Sequence, residues 1–289
     1  MIKPTEYLQG LEHVAGQYDA FILDIWGTLH NGERVFPGVI NALHELKAMG
    51  KKVSFLSNSP SRIASVTERL GSSYGVTPDL YQAAFNSGES SYLALRDRSD
   101  TWHQRLGKKF YFIFAESHRE NYADLDYEQV DNIETADFII ISKTLDFNET
   151  IEDYEYRLNV AAQRGLPMLC ANPDRIVGIG DTLFICPGTV AAYYETLGGD
   201  VYYHGKPHQD VYTHMHQLLG KPDPRRILAI GDALETDILG GNRFGCDTLM
   251  LTAGIHTTEI NPDNALADVA RLSGQFDAHP TYIMDQIRW

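Results

Sequence analysis

The chain has 289 residues, 43% of them hydrophobic, which is enough to bury one large core or two modest ones. Its formal net charge of −15 argues against nucleic-acid and anionic-membrane partners, because the field of the whole protein repels both. The three cysteines are widely spaced and form no CxxC pair, so we expect buried free thiols rather than a zinc site or a disulfide framework. The N-terminal segment has no apolar signal region, and we expect a cytoplasmic protein.

Short apolar runs alternate along the chain with segments of helical period, a pattern typical of an α/β fold with a mostly parallel sheet. The predicted elements of the outer segments are a strand at 21–26, a helix at 39–50, a strand at 52–57, a helix at 62–70 that ends at Gly71, and strands at 226–232 and 247–254. The central block repeats the alternation, with strands predicted at 110–115, 138–142 and 167–172 and a helix at 151–165. We therefore predict a discontinuous core domain, residues 1–87 and 185–289, with a cap domain, residues 88–184, inserted into it.

Three aspartates lie at or beyond the carboxyl ends of predicted apolar strands. Asp24 lies near the end of the strand at 21–26, Asp232 ends the strand at 226–232, and Asp237 comes shortly after it. Because ligands bind at the carboxyl ends of parallel strands, and paired acids suit a hard divalent cation, these side chains are candidate metal ligands. Capping of the following turn or helix is the alternative for each of them.

Ser57 and Asn58 end the second predicted strand just before a helix, where a hydroxyl and backbone N–H groups make an anion site. The alternative is a plain helix N-cap. Lys206 stands between Gly205 and Pro207, also just before a predicted helix. A single loop lysine is usually a solvated surface charge, and only its position relative to the other segments makes it a candidate.

The order of these four segments resembles the haloacid dehalogenase superfamily, whose motifs are DxDx(T/V), Ser/Thr, Lys and GDxxxxD. The segments DIWGTLHNGERVFPG, SNSPSR, NPD at 172–174, GKPHQDVY and GDALETDILGG are similar to the class with a large α/β cap between the second and third motifs. That class includes nitrophenyl-phosphatase-like and pyridoxal-phosphatase-like proteins. The resemblance implies a three-layer, Rossmann-like core with a parallel sheet and an inserted α/β cap.

The resemblance also implies a catalytic role for each matching residue. Asp24 would attack phosphorus and become an aspartyl phosphate. Mg²⁺ would be held by Asp24, by the backbone carbonyl of Trp26 and by Asp232, with Asp237 orienting the waters of the metal. Lys206 would offset the charge of nucleophile and phosphate. In the same family, Ser57 and neighbouring groups such as Asn58 would bind the phosphoryl oxygens.

The sequence departs from that family at Trp26, where its phosphatases carry a second aspartate that protonates the leaving oxygen and later activates water. An indole does neither, because its N–H is only a hydrogen-bond donor. The remaining interpretations are a leaving group that needs no proton, another base from His30, His204 or His208, or binding without turnover. Each of these histidines has the alternative of being an ordinary loop residue.

The predicted cap offers further candidates for substrate contacts, namely Lys143, Thr144, Asn172 and Asp174, with surface charge and a turn as the alternatives. Capped relatives often pair through the cap, so a homodimer is a further prediction.

The leading hypothesis is a magnesium-dependent phosphatase of a small phosphorylated metabolite, for which a sugar phosphate is one candidate. A catalytically weakened member that binds a phosphorylated ligand or a protein partner is the alternative. A carbon–halogen hydrolase is less consistent with the lysine and the acids, since dehalogenation needs no cation.

Overall fold

The computed structural model describes residues 4–144, 146, 148–179 and 182–289. The strands are β1 (Glu6–Tyr7), β2 (Ala20–Leu23), β3 (Lys52–Ser57), β4 (Ala83–Asn86), β5 (Lys109–Ile113), β6 (Glu128–Val130), β7 (Phe138–Ile141), β8 (Pro167–Cys170), β9 (Ile176–Ile179), β10 (Thr182–Ile185), β11 (Asp200–Tyr203), β12 (Ile227–Gly231), β13 (Asp247–Leu251) and β14 (Tyr282–Met284). The helices are α1 (Val39–Ala48), α2 (Ile63–Tyr74), α3 (Ser87–Asp97), α4 (Thr101–Gln104), α5 (Glu152–Arg164), α6 (Pro187–Thr196), α7 (Gln209–Leu218), α8 (Leu239–Phe244) and α9 (Ala265–Phe276). The mixed α/β class predicted from the alternating pattern is confirmed.

The chain divides into two compact units. The first consists of Met1–Ser57, Ala64–Phe85 and Lys206–Trp289, and the second of Asn58–Ile63 and Asn86–Gly205. The predicted cap began close to the second unit's long segment, at residue 88, but it ended at 184, whereas the unit continues to Gly205. The difference arises because β11 pairs in parallel with β8, which adds one more strand to the second unit's sheet.

The first unit is built on a seven-stranded sheet in the order β1-β14-β13-β12-β2-β3-β4. In its centre β2 pairs in parallel with both β12 and β3, so the carboxyl ends of these three strands meet at one edge. Every residue of β2 and β12 is buried, which explains why both read as continuous apolar runs rather than as alternating ones. This edge is where Asp24, Ser57 and Asp232 leave their strands.

Helix α2 runs further than the sequence analysis predicted. It continues through Gly71 to Tyr74, because its apolar positions Val66, Leu70 and Tyr74 keep one buried face at helical spacing. The chain leaves the helix at Gly75, whose φ of +69° suits a residue without a Cβ. Gly71 is therefore an interior helical residue and not the stop.

The second unit has its own parallel sheet, in the order β11-β8-β7-β5-β6, and an antiparallel hairpin of β9 and β10. Strand β7 is buried along its whole length, with an apolar cluster on each face of the sheet. Helix α5 covers one face with Tyr154, Leu158 and Ala161, while Tyr122 packs on the other face. The predicted cap strands at 110–115, 138–142 and 167–172 correspond to β5, β7 and β8.

Two further points concern the cysteines and the apolar character of the helices. Cys170, Cys186 and Cys246 are buried free thiols, as expected. Among the described residues, no helix combines the length and apolar character that a membrane span requires.

Candidate active site

Three aspartates converge at the carboxyl edge of the first unit's sheet. Asp24 follows β2, Asp232 follows β12, and Asp237 lies in a π-helical turn, Leu234–Ile238, just beyond β12. One carboxylate oxygen from each residue lies within 4.8 Å of the others, and all three side chains are buried. The sequence analysis predicted that these acids meet, and the parallel pairing of β2 with β12 explains why they do.

Lys206 is the cation of this cluster. Its ammonium donates hydrogen bonds to Oδ1 of Asp24 and, at 2.7 Å, to Oδ1 of Asp237. Lys206 is only 3% exposed, so the alternative of a solvated surface lysine is wrong. When all three acids are ionised, one ammonium against three carboxylates leaves two negative charges uncompensated by the cluster itself.

The pKa values of the cluster reflect this crowding. Burial raises the pKa of Asp24 to about 7, with Lys206 lowering it and Asp237 raising it further. Burial and then the charges of Asp24 and Asp237 raise the pKa of Asp232 well above its usual value. Burial alone would lower the pKa of Lys206, yet the Asp237 and Asp24 carboxylates raise it. Buried acids held this close are the donor set that a hard divalent cation requires, so the residues present fit a metal.

The backbone of two glycines lies close against the carboxylate of Asp232. Gly27 has a φ of +81°, and a Cβ built there would lie 2.2 Å from Oδ2 of Asp232. A Cβ on Gly254 would also lie 2.2 Å from that oxygen. The backbone N–H of Ile255 donates to the same oxygen at 2.8 Å. Glycine is therefore needed at both positions for the acid to lie where it does.

The ring of Trp26 folds over its own loop. A Cβ built on Gly32 would lie 2.5 Å from the tip of the indole, and the ring of His30 meets the indole edge-on at 5.5 Å. His30 stacks on Tyr74 at 4.0 Å, and its Nδ1 accepts the N–H of Gly32. The indole is 38% exposed, and its N–H donates no hydrogen bond within the described part of the chain.

His30, His204 and His208 were the candidate replacement bases. His30 is almost wholly buried, and burial followed by the charge of Arg69 lowers its pKa to about 4. It is therefore a neutral side chain that packs within its own loop. His204 belongs to the second unit and lies with its Nε2 3.1 Å from Nε2 of His103. His208 is the residue before α7.

The remaining predicted residues fall in different units. Ser57 is a buried residue at the end of β3 in the first unit, whereas Asn58 belongs to the second. The amide of Asn58 donates to Oδ1 of Asp174 at 2.7 Å, and Oδ1 of Asn172 accepts the N–H of Asp174.

Lys143 and Thr144 follow β7 in the second unit, the lysine half-buried and the threonine buried. The sequence analysis missed His118, which lies beside Ser142 and Ser61 in this unit. The only signal available was a histidine shortly after a predicted strand, which is too common to single out.

The fold and the site define an α/β protein with three clustered, buried aspartates and a buried lysine at the carboxyl edge of a parallel sheet. Two family profiles match this chain: haloacid dehalogenase-like hydrolase over residues 21–128, and HAD-hydrolase-like over residues 203–288. The chain belongs to the haloacid dehalogenase superfamily, as its motif order suggested.

Individual relatives extend over almost the whole chain. Chronophin of Rattus norvegicus is 28% identical, covering 98% of this chain and 90% of its own length. The ribonucleotide monophosphatase NagD of Escherichia coli K12 is 23% identical, covering 82% of this chain and 89% of its own. A haloacid dehalogenase-like hydrolase from Brucella suis superposes with a TM-score of 0.82 at 29% identity, covering 97% of this chain and 99% of its own.

Proposed function

We propose that the protein is a magnesium-dependent phosphoric monoester hydrolase that acts on a small phosphorylated metabolite through an aspartyl phosphate on Asp24. The observation that carries the proposal is the cluster of Asp24, Asp232 and Asp237 with one buried lysine. The relatives named as phosphatases support hydrolysis over the alternative of ligand binding without turnover. A sugar phosphate remains one candidate among small substrates.

Asp24, Asp232 and the backbone carbonyl of Trp26 would hold the cation, and Asp237 would act through its waters. When bound, Mg²⁺ supplies positive charge that neutralises the developing charge on the phosphoryl oxygens. The burial of the acids supports this assignment, because three carboxylates without a second cation would remain uncompensated.

In the first step, a carboxylate oxygen of Asp24 forms a bond to phosphorus as the bond from phosphorus to the leaving oxygen breaks. Lys206 contacts Asp24 directly, so it favours the ionised form of the nucleophile and offsets the incoming phosphate charge. Ser57, at the end of β3, would hold the phosphoryl oxygens together with nearby backbone N–H groups.

In the second step, water attacks the phosphorus and the Asp24 carboxylate leaves, which restores the enzyme and releases phosphate. Trp26 cannot take the proton of that water, and the neutral His30 is engaged by the N–H of Gly32. A phosphate oxygen is one acceptor for this proton. Because the indole of Trp26 also cannot protonate the leaving oxygen in the first step, the first unit favours substrates whose leaving group departs without a proton.

A screen of phosphate esters with Mg²⁺ tests the proposal, with phosphate release as the measurement. Asp24→Asn should abolish release, while Asp79→Asn, a surface acid that pairs with Lys47, should leave it unchanged. Release that persists in the Asp24 variant would remove this residue from the mechanism. Omission of Mg²⁺ and its restoration by titration test the metal requirement separately.

Three further predictions remain proposals. Lys143, Thr144, Asn172 and Asp174 would contact the non-reacting part of the substrate. Homodimer formation through the second unit remains a proposal, and light scattering of the purified protein tests it. The cytoplasmic location stays a prediction.

A further inference from the structure

The second unit has a topological switch point of its own. Strand β5 lies between β6 and β7, and the chain leaves β5 toward β6 but leaves β7 toward β8, on the opposite side. The two connections also pack on opposite faces, since Tyr122 follows β5 in one apolar cluster and Tyr154 follows β7 in the other. Parallel sheets bind ligands in the crevice outside such neighbouring carboxyl ends.

Three polar side chains meet at this crevice. His118 follows β5 and Ser142 follows β7, and Nδ1 of His118 lies 3.1 Å from Oγ of Ser142. On the other side of the ring, Nε2 lies 3.4 Å from Oγ of Ser61. Ser61 is held there by its own backbone carbonyl, which accepts the amide of Asn86 at 2.8 Å, and by Asn121, whose amide donates to the carbonyl of Pro60.

The trio of Ser61, His118 and Ser142 has one more polar hydrogen than its two internal hydrogen bonds use. A neutral imidazole has one N–H and one acceptor nitrogen. If Nε2 carries the hydrogen, Ser142 donates to Nδ1 and the hydroxyl hydrogen of Ser61 is left. If Nδ1 carries it, Ser61 donates to Nε2 and the hydroxyl hydrogen of Ser142 is left. In either tautomer one hydroxyl hydrogen is not used for hydrogen bonding within the trio.

Lys143 brings positive charge to the same place. It follows Ser142 directly and is half-buried. Burial, followed by the charge of Lys143, lowers the pKa of His118 to about 4, which places the ammonium within electrostatic range of the ring.

We propose that Ser61, His118, Ser142 and Lys143 form a binding site for a small oxyanion, a carboxylate or a phosphate group. A spare hydroxyl donor beside an ammonium is the pairing that recognises such a group, because hydrogen bonds between charged partners are stronger than neutral ones. The site consists of second-unit residues alone, and the proposal does not depend on the proposed hydrolase activity. Its ligand is either the anionic tail of the substrate or a free metabolite anion.

Binding is tested in metal-free buffer on the full chain, with ¹³C-labelled histidine rings and the His118 signal assigned from a His118→Gln variant. Inorganic phosphate and malonate are the probes, and neutral malonamide is the control. We expect a saturable shift of the His118 signal with at least one anion and none with malonamide. No saturable shift with either anion would overturn the proposal.

Variants then separate charge recognition from general effects. Lys143→Met should weaken anion binding about tenfold or more, the value of one charge-assisted hydrogen bond. Lys109→Met, a half-exposed lysine paired with Glu128, should leave it unchanged, and Lys143→Arg should retain most of it. Equal affinity in wild type and Lys143→Met would contradict the assignment even if both proteins are fully folded.

Kinetics distinguish the two sources of the anion. Hydroxypropyl phosphate, phosphonooxypropanoate and propanediol bisphosphate share one phosphate ester and differ only in the tail. A higher kcat/KM for an anionic tail that disappears in Lys143→Met identifies the tail of the substrate as the ligand. Anion binding by the resonance assay without any tail preference identifies a free anion. Failure of all three esters to react bears on the proposed hydrolase activity and not on this site.

Discussion

Removal of the positive charge of Lys206 should destabilise the metal-free protein in a pH-dependent way. The ammonium contacts two buried carboxylates, and its own side chain is 3% exposed. Truncating one partner of a buried ion pair costs about 3–5 kcal/mol, because the other charge stays buried and unpaired. Lys206→Met keeps the unbranched stem, so we expect the free energy of unfolding to fall by about 3 kcal/mol at neutral pH in the presence of a chelator.

The pH dependence of this loss follows from the acids that remain. Without the lysine, the folded-state pKa of Asp24 rises further above its unfolded value, because the ammonium no longer offsets the effect of burial. Acids whose pKa is raised on folding destabilise the native state at high pH, and this destabilisation fades as the pH falls through the folded pKa. The deficit should therefore be smaller at about pH 5.5 than at about pH 7.5.

Urea unfolding with a chelator measures both effects. Lys47→Met is the matched control, because it makes the same chemical change in a surface ion pair with Asp79, which is worth about 0–1 kcal/mol. Mg²⁺ at about 100 times its dissociation constant should restore about 2.7 kcal/mol to the Lys206 variant. A deficit no larger than that of the Lys47 variant, or one independent of pH, would refute the reasoning.

Three other perturbations test separate parts of the account. Trp26→Asp should raise kcat/KM for alkyl phosphates at least about tenfold, because general acid catalysis contributes about 10² to 10⁴ in rate where the leaving group is poor. The kcat/KM for nitrophenyl phosphate should change little, and Trp26→Asn is the control. Gly27→Ala should weaken metal binding and lower the free energy of unfolding by about 1–2 kcal/mol, because the new Cβ displaces Asp232 and strains a left-handed backbone. Mn²⁺ titration and thermal unfolding measure the two effects. His118 has a pKa lowered to about 4 in the folded state, so its contribution to stability is full above pH 6.5 and is lost as the pH falls toward 4. His118→Gln should therefore flatten the acid limb of the unfolding curve by up to about 3 kcal/mol, and an unchanged limb would contradict this.

The sequence correctly predicted those elements whose burial is visible in their own composition. The runs that became β2 and β12 are apolar throughout because both faces of the sheet are covered, and the polar residues after them mark the strand ends. Asp24 and Asp232 could be paired from that position alone. The burial of Lys206 could not, because a lone loop lysine looks the same in sequence whether it is solvated or held by two acids.

Strand pairing between distant parts of the chain was the second feature that the sequence could not predict. Strand β11 belongs to the second unit only because it pairs with β8, and nothing local in Asp200–Tyr203 records that partner. The same limit hid the contact of His118 with Ser142, which depends on β5 and β7 being neighbours across a connection that contains β6. Local composition also misjudged the end of α2, where Gly71 was read as a stop although the buried face continues to Tyr74.

The most direct measurement is a crystal of the protein grown with Mn²⁺, with diffraction recorded at the manganese absorption edge. The account predicts one anomalous peak that touches a carboxylate oxygen of Asp24 and one of Asp232, with Lys206 still bound to Asp24. A well-ordered first unit with Mn²⁺ elsewhere, or with no peak between these two aspartates, would contradict the claim that they share a cation.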